Sequence, residues 1–349
     1  MYNQKVVLQA LMGLDIGGAE THVIELSIEL QERGYRVIVA SNGGVYEEKL
    51  KEAGVETVNV PLHTKNPIAV FKSLKILNDL IKKEKIKLVH GHARIPAFLL
   101  SLLQKRRGFN MITTAHGTFR VNFLLKHITK WGDRVFVVSE DIRNYIKNNY
   151  EISEDRIYST INGINLNKFK PSNNNESSGI LHISRLEDDT SLIAEKLIEY
   201  GRANENIEIT IVGDGSELSN LKRQAKGLKN VVFAGKVSNV EKYLDKAEIF
   251  LGISRAALEA MCYNLPVILA GDYGYMGILD KDKLKLAEFN NFTARNTNMV
   301  TYEDLEKDID FLLKNNMDCQ WERKYIEENY SLENMVNKYE EVYKLYLGD

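Results

Sequence analysis

Ser254-Arg255-Ala256-Ala257-Leu258-Glu259-Ala260-Met261-Cys262-Tyr263-Asn264-Leu265-Pro266 lies between two apolar runs, residues 247–253 and 267–270. Both runs read as buried strands, and the segment between them reads as a short polar turn opening a helix that Pro266 ends. Strand, turn, helix and strand form one unit of a parallel α/β sheet. Ligands of such sheets bind at the carboxyl ends of the strands, where helix N-termini point free amides. Ser254 is the expected N-cap, with Arg255 adding a positive charge beside the amides and Glu259 standing one turn further in. Amides, a cation and a carboxylate together suit a ligand bearing phosphate and hydroxyl groups, such as a nucleotide. The same Leu-Glu-Ala-Met run is also ordinary helix-forming sequence with a solvated glutamate, so the wider chain has to decide.

Outward from this unit the alternation continues in both directions. Upstream, residues 180–183, 208–212 and 231–233 read as strands of the same domain. A polar stretch at 170–179, rich in Asn and Ser, reads as a linker. Before it, residues 6–10, 37–40, 87–90, 111–114 and 134–138 read as strands separated by helical segments. The first of these helices spans 19–33 and is closed by Gly34. Two doubly wound, Rossmann-like domains follow, over 1–169 and 170–330, with an amphipathic helix at 331–349. Two such domains of similar size leave a cleft suited to a two-substrate transferase.

Composition bounds the function. The 349 residues carry 46 Lys and Arg against 48 Asp and Glu, a formal net charge of −2, which argues against a nucleic-acid partner. Two cysteines, Cys262 and Cys319, offer no disulfide framework and fit a reducing cytosol. No apolar run approaches the ~20 residues that span a bilayer. The expected location is cytoplasmic, with peripheral attachment at the inner membrane face left open.

Several strand ends carry candidate chemistry. Gly17 and Gly18 open the first helix, where paired glycines let an anion approach the amides; an ordinary tight turn is the alternative. The spacing is neither Gly-x-Gly-x-x-Gly nor a P-loop. His116, in Ala115-His116-Gly117, ends a strand and is placed to hydrogen-bond a sugar or acceptor hydroxyl. His90 and His92 alternate at another strand end, but no third metal ligand stands nearby. Arg185 follows the first strand of the second domain and can grip phosphate in bidentate fashion, or pair with Glu187 or Asp188. Gly213-Asp214-Gly215 reads as a turn, and Lys236 with Val237 can face a planar base. Gln104-Lys105-Arg106-Arg107 and Lys126-His127-Ile128-Thr129-Lys130-Trp131 set basic residues beside apolar ones, as an anionic membrane surface or a solvated face would require.

In this order the segments Gly17-Gly18-Ala19-Glu20, Ala115-His116-Gly117, Asn162-Gly163-Ile164-Asn165, Ser184-Arg185-Leu186, Val212-Gly213-Asp214-Gly215, Phe233-Ala234-Gly235 and Leu258-Glu259-Ala260-Met261 resemble the retaining family-4 glycosyltransferases. That resemblance covers almost the whole chain. It implies the GT-B fold: two Rossmann-like domains facing a cleft, the first on the acceptor side and the second binding the nucleotide sugar. The final helix would cross back to the first domain. It further implies sugar transfer from a nucleotide-diphosphate sugar, a UDP-sugar by expectation, to a glycan or lipid-linked acceptor in cell-surface polysaccharide synthesis, without metal or cofactor. Gly17 and Gly18 would approach the donor diphosphate, and Arg185 would bind it. Ser254, Arg255 and Ala256 would add contacts at the helix start. Glu259 would hold the ribose, Lys236 and Val237 the base, and His116 the sugar or acceptor. His116, Arg185 and Glu259 would thus be the catalytic set. Two positions depart from the family pattern: Thr190 stands where a lysine is usual, and Leu251 where a first glutamate is usual. Arg255 would take over the charge of that lysine. A non-catalytic nucleotide-binding partner and a nucleotide-sugar 2-epimerase are the competing readings.

Overall fold

The computed structural model describes residues 5–172 and 178–348. Residues 173–177 of the expected linker lie outside the described residues. The chain divides into two compact units, Met1–Gly163 with Leu332–Asp349, and Ile164–Ser331. The division falls at 163/164 rather than at 169/170. Ile164 donates its amide to the Tyr330 carbonyl and bridges to Ser331, which ties the connecting strand to the end of the second unit.

The first unit is built on β1 (Val6–Ala10), β2 (Arg36–Ser41), β3 (Glu56–Asn59), β4 (Leu88–Gly91), β5 (Asn110–Ala115), β6 (Arg134–Val137) and β7 (Ile157–Ser159). All pair in parallel, in the order β3-β2-β1-β4-β5-β6-β7. The central strands are apolar and buried on both faces, as parallel sheets covered by helices require. Strand order reverses between β1 and β4, so the loops after these two strands diverge and leave a crevice at their carboxyl ends.

The first helix, Gly18–Glu32, is buried almost all round, at His22, Val23, Ile24, Glu25, Leu26, Ser27 and Leu30. The sheet covers one side of it and the last helix, Leu332–Leu347, packs on another, also within this unit. Gly34, at φ +87°, ends the first helix in the left-handed conformation that a side chain would resist. The last helix turns Met335, Val336, Tyr339, Val342 and Tyr343 into the core. Glu340 fixes its outer side by accepting from Arg33 at 3.0 Å and from Tyr35 at 3.2 Å.

The second unit holds β8 (Ile180–Ile183), β9 (Ile209–Val212), β10 (Val231–Gly235), β11 (Ile249–Gly252), β12 (Val267–Gly271) and β13 (Gly274–Ile278). Their order is β10-β9-β8-β11-β12-β13, with β13 antiparallel at the edge. The reversal here falls between β8 and β11. Loops after β8, β9 and β10 are zipped together: Leu186 donates to the Asp214 carbonyl at 3.0 Å, Ser184 to Val212 at 3.1 Å and Gly213 to Gly235 at 3.0 Å.

Gly213 is required at that seam. Its φ is +152°, and a Cβ there would lie 1.9 Å from the Ser184 carbonyl oxygen. Gly18 is the contrast, since a Cβ there meets nothing within 4 Å. Gly213→Ala therefore costs at least about 1–3 kcal/mol, the usual range for forced overpacking. Gly18→Ala leaves stability unchanged or raises it by up to about 1 kcal/mol, the helix propensity of alanine over glycine. Urea unfolding of both variants beside the parent checks the contrast.

Candidate functional site

Each unit gathers its candidate residues at the carboxyl edge of its own sheet. In the first unit, residues 11–17 run from β1 to the first helix and are pinned to the loop after β2. Leu14 donates to the Gly43 carbonyl at 2.9 Å, and Tyr46 to the Leu14 carbonyl at 3.0 Å. Gly17 is the N-cap, in extended conformation, and no side chain caps the helix there. The amides of this first turn lie at the reversal point of the strand order. The Glu20 carboxylate folds over the same end, where a Cβ on Gly17 would lie 2.2 Å from its Oε2. A bound anion would have to displace that carboxylate.

His92 follows β4 and His116 follows β5. They meet, with His92 Nδ1 and His116 Nε2 3.2 Å apart. His116 is partly exposed and is the outermost member of a buried group that also holds His22 and His90. His90 spends both nitrogens on protein groups, Tyr343 at 2.5 Å and Thr114 at 2.8 Å. His92 does the same, with His116 and with Gln9 at 2.7 Å. Neither nitrogen pair faces an open ligand position, and the described residues contain no cluster of three His, Cys, Asp or Glu side chains suited to a metal. Burial drives the His90 and His92 pKa values well below the usual histidine range and lowers that of His116 to about 4. At neutral pH these rings are uncharged hydrogen-bonding groups.

In the second unit, Arg185 follows β8. It is exposed and makes no hydrogen bond or ion pair among the described residues, Glu187 and Asp188 included. Glu187 instead accepts from the Ser216 hydroxyl at 2.6 Å, and Asp189 from the Tyr273 hydroxyl at 2.9 Å. Thr190 closes a local turn, its Oγ1 accepting the Glu187 amide at 3.3 Å, so this loop presents no second cation there. Lys236 and Val237 follow β10, two strands from β8, beside Gly235 at φ +70°.

Across the reversal from Arg185 stands the helix Ser254–Met261, entered from β11 without an intervening loop. Here the sequence expectation needs correcting. Ser254 is not the N-cap: that position is Ile253, and no side chain caps the helix. Ser254 is the first helical residue, held in the left-handed region at φ +56°. Its amide donates to the Phe292 carbonyl at 2.7 Å, and its hydroxyl accepts from Asn291 Nδ2 at 3.2 Å. With the strand running straight into the helix, the turn is made at Gly252 and Ser254 and leaves no residue to cap from outside. The amides of Arg255 and Ala256 have no acceptor within the helix.

The segment that grips Ser254 is itself strained. Asn291, Phe292, Ala294 and Asn296 all have positive φ, between +55° and +67°. Asn291, Phe292, Thr293 and Ala294 are buried. A bulky residue in this region is an outlier that burial must support, and such outliers gather at functional sites. The sequence reading missed this segment; its Asn290-Asn291 pair was the one signal, asparagine being the side chain that best tolerates the left-handed region.

Arg255 and Glu259 are also repositioned. Arg255 Nε donates to Glu259 Oε1 at 2.9 Å, one turn apart, and the two residues are 6% and 8% exposed. Arg255 is thus a buried partner of Glu259 and not an open cation replacing a lysine. Leu251, in β11, is fully buried, and its carbonyl accepts from His182 Nδ1 at 2.9 Å. His182 Nε2 in turn accepts from the Ser184 hydroxyl at 2.8 Å, next to Arg185.

The basic stretches are spent only in part on neighbours, and Lys105, Arg106 and Lys130 are exposed. Arg107 bonds Asn78 at 2.8 Å and Lys126 bonds Glu151 at 2.8 Å. Trp131 is buried against Phe119 and Tyr150. Phe123 and Leu124 are the exposed apolar groups of that region, at 84% and 67%. No helix among the described residues is long and apolar enough to cross a membrane.

Comparison with known proteins adds to this geometry. The family model described as Glycosyltransferase Family 4 matches residues 16–168, and that described as Glycosyl transferases group 1 matches residues 177–288. The chain is 26% identical over 307 residues to a phosphatidylinositol N-acetylglucosaminyltransferase subunit of Arabidopsis thaliana, over 78% of this chain and 68% of that one. A glycosyltransferase structure from Rickettsia africae ESF-5 superposes with a TM-score of 0.79 at 22% identity, over the whole of both chains. Anabaena Alr3699/HepE in complex with UDP-glucose superposes with a TM-score of 0.78 at 13% identity, over 97% of this chain and 98% of that one. The two solved structures share the fold of paired Rossmann-like domains.

The two arginines should separate by experiment. Arg255→Ala strands a buried carboxylate from its ion-pair partner and costs about 3–5 kcal/mol of stability. Arg185→Ala costs less than about 0.5 kcal/mol, as an exposed side chain without partners should. Chemical denaturation of both reads the difference directly.

Acidification should destabilise the fold between pH 6.5 and 4. Burial lowers the folded-state pKa of His90, His92, His116 and His182, the last two to about 4. The unfolded chain therefore binds protons first. The stability these rings contribute is present above pH 6.5 and is lost as pH falls, at up to about 1.4 kcal/mol per pH unit for each. Glu322, whose pKa burial raises well above the usual range, acts in the opposite direction. Asp272, whose pKa burial also raises, joins it; four rings against two carboxyls leave stability rising with pH across this window, and urea midpoints at pH 7, 5.5 and 4.5 that stayed level would contradict it.

Proposed function

Because the chain belongs to the family-4 glycosyltransferases of GT-B type, we propose that it transfers a sugar, with retention at the anomeric carbon, from a UDP-sugar to a glycan or lipid-linked acceptor in cell-surface polysaccharide synthesis. The observation that carries this reading is Arg185, an exposed guanidinium without a hydrogen-bond partner. It stands at the strand-order reversal, across from the uncapped amides of the helix Ser254–Met261.

In this reading the leaving diphosphate gains negative charge as the bond to the sugar breaks. Arg185 and the amides of Arg255 and Ala256 receive that charge, already oriented before the reaction. Glu259, held by Arg255, accepts from the ribose hydroxyls. Lys236 and Val237 lie against the base. In the first unit, the amides after Gly17 and Gly18 suit an anion, and the neutral His116 suits a hydrogen bond to a hydroxyl of a sugar or acceptor. The reaction uses no metal. Uridine is favoured by the UDP-glucose held by the Anabaena protein, and a lipid-linked acceptor by the phosphatidylinositol named for the Arabidopsis relative. The exposed Phe123 and Leu124, with Arg120 and Lys130 nearby in sequence, suit peripheral contact with an anionic membrane, from which such an acceptor is reached.

One observation favours a second reading. Thr190 supplies no cation, and the position of Leu251 is sealed in the core, so the donor site has fewer charged groups than the family pattern provides. A lost charge-assisted phosphate contact costs about 1.5–3 kcal/mol, roughly ten- to a hundred-fold in rate. A non-catalytic nucleotide-binding partner would tolerate both losses.

The test is thermal stabilisation by UDP, GDP, ADP and CDP, followed by consumption of the matching nucleotide sugar. A nucleotide at 100 times its dissociation constant stabilises the folded chain by about 2.7 kcal/mol. UDP should do so in the parent and fail with Arg185→Ala and Glu259→Gln; glutamine preserves the volume at the buried pair. A shift with UDP but no turnover with any acceptor selects the partner reading. Epimer formation without an acceptor selects a 2-epimerase, and no shift with any nucleotide removes the donor site.

A further inference from the structure

The histidines of the first unit belong to one continuous chain of hydrogen bonds that crosses its core. It runs from His116 Nε2 to His92 Nδ1 at 3.2 Å, from His92 Nε2 to Gln9 Oε1 at 2.7 Å, and from Gln9 Nε2 to the Tyr343 hydroxyl at 3.1 Å. It continues from Tyr343 to His90 Nδ1 at 2.5 Å, from His90 Nε2 to Thr114 Oγ1 at 2.8 Å, and from Thr114 to the Tyr339 hydroxyl at 2.9 Å. It ends from Tyr339 to His22 Nε2 at 2.9 Å and from His22 Nδ1 to Asn162 Oδ1 at 3.3 Å.

Each link has one donor, so the chain has a direction. A neutral imidazole donates at one nitrogen and accepts at the other, and an amide oxygen only accepts. At the inner end, Asn162 Oδ1 must receive the proton of His22 Nδ1. His22 Nε2 then accepts from Tyr339, Tyr339 from Thr114, Thr114 from His90 Nε2, and His90 Nδ1 from Tyr343. Gln9 independently imposes the same direction, since its nitrogen donates to Tyr343 and its oxygen accepts from His92 Nε2. The 2.7 Å contact to His92 suits N–H to a carbonyl oxygen. His92 Nδ1 is left to accept, and His116 must donate from Nε2. The reverse direction would require both amides, 153 residues apart in the sequence, to be turned over together.

We infer that this chain is a positioning device: Gln9, His92 and Tyr343 hold His116 as the tautomer protonated at Nε2, so that its Nδ1 lone pair faces outward as a fixed acceptor for a ligand hydroxyl. Nδ1 has no hydrogen-bond partner among the described residues, and His116 is the partly exposed end of an otherwise buried chain. That the hydroxyl belongs to a sugar or acceptor rests on the proposed function; the tautomer does not. The last helix is thereby coupled to the site, since Tyr343 is the group that orients Gln9. His116 and its supports accept a hydrogen bond and select a hydroxyl over an ether or carbonyl at that position.

The test is a histidine side-chain 15N–1H correlation spectrum of the full labelled chain at pH 7, without nucleotide or acceptor, with His116 identified by its loss in His116→Asn. The parent should show His116 as the neutral form protonated at Nε2. Tyr343→Phe, which frees Gln9 to rotate, should give a mixture of the two neutral tautomers. Gln9→Glu, which keeps an acceptor for His92, should leave His116 protonated at Nε2. Protonation at Nδ1, a mixture in the parent, or an unchanged His116 in folded Tyr343→Phe each overturns the inference. If Tyr343→Phe does not fold, the parent spectrum and Gln9→Glu decide. A chain that transfers no sugar but shows the Nε2 form defeats the functional reading and leaves this one standing.

Discussion

A buried hydroxyl that finds no partner is expensive, and the last helix carries two of them, on Tyr339 and Tyr343, into the core of the first unit. Both rings are fully buried, so their apolar bodies hold the helix against the sheet while their oxygens demand partners. Those partners come from Gln9, His22, His90 and Thr114, on three neighbouring strands and the first helix. The requirement fixes the axial position of the last helix within this unit. It also explains why polar side chains stand on strands that are otherwise Val, Ile and Leu. Packing and site geometry are therefore the same problem here: the ring that reaches the strand-end rim, His116, is the final link in satisfying a tyrosine one helix away.

The second unit solves a different problem at the equivalent place. Between β11 and the helix Ser254–Met261 there is no loop, so the chain must turn within two residues and leave the helix uncapped. Left-handed backbone at Ser254 costs on the order of 1–3 kcal/mol. It is sustained because a buried segment, itself bent through four positive-φ residues, offers the Phe292 carbonyl and the Asn291 amide. An ordinary serine cap would have turned its hydroxyl onto the first-turn amides. Here the hydroxyl is drawn away to Asn291 and is not turned onto the first-turn amides.

Much of this was legible in the sequence. The apolar runs located ten of the twelve parallel strands to within a residue or two, because strands buried on both faces leave no polar alternation to confuse; the short, half-exposed β3 and β7 were missed. The strand-end positions of Gly17, Arg185 and His116 were legible for the same reason. What escaped was whatever depends on contacts distant in sequence. His90 and His92 read as a lone pair because their partners, Tyr343 and Gln9, lie 253 and 83 residues away. Ser254 read as a cap because serine before a helix usually is one, and the competing acceptor and donor, Phe292 and Asn291, lie 38 and 37 residues downstream. The domain boundary moved by six residues because a backbone bridge between Ile164 and Ser331 leaves no compositional trace.

The pairing of Arg255 with Glu259 changes how charge is arranged in the second unit. Two open cations beside the helix start would attract a diphosphate strongly but would leave Glu259 to repel it. With Arg255 folded onto Glu259, the charge of that carboxylate is offset at 2.9 Å. In the proposed function Arg185 would then meet the phosphates, with helix amides rather than a second side chain in support. The acidic residues beside it are turned toward Ser216 and Tyr273 instead of toward the guanidinium, which keeps Arg185 unpaired. A site built this way trades one mobile lysine for fixed dipoles, and fixed dipoles need no reorganisation when charge develops. In the proposed function, the helix dipoles at the Ser254 turn would stand in for the lysine absent at Thr190.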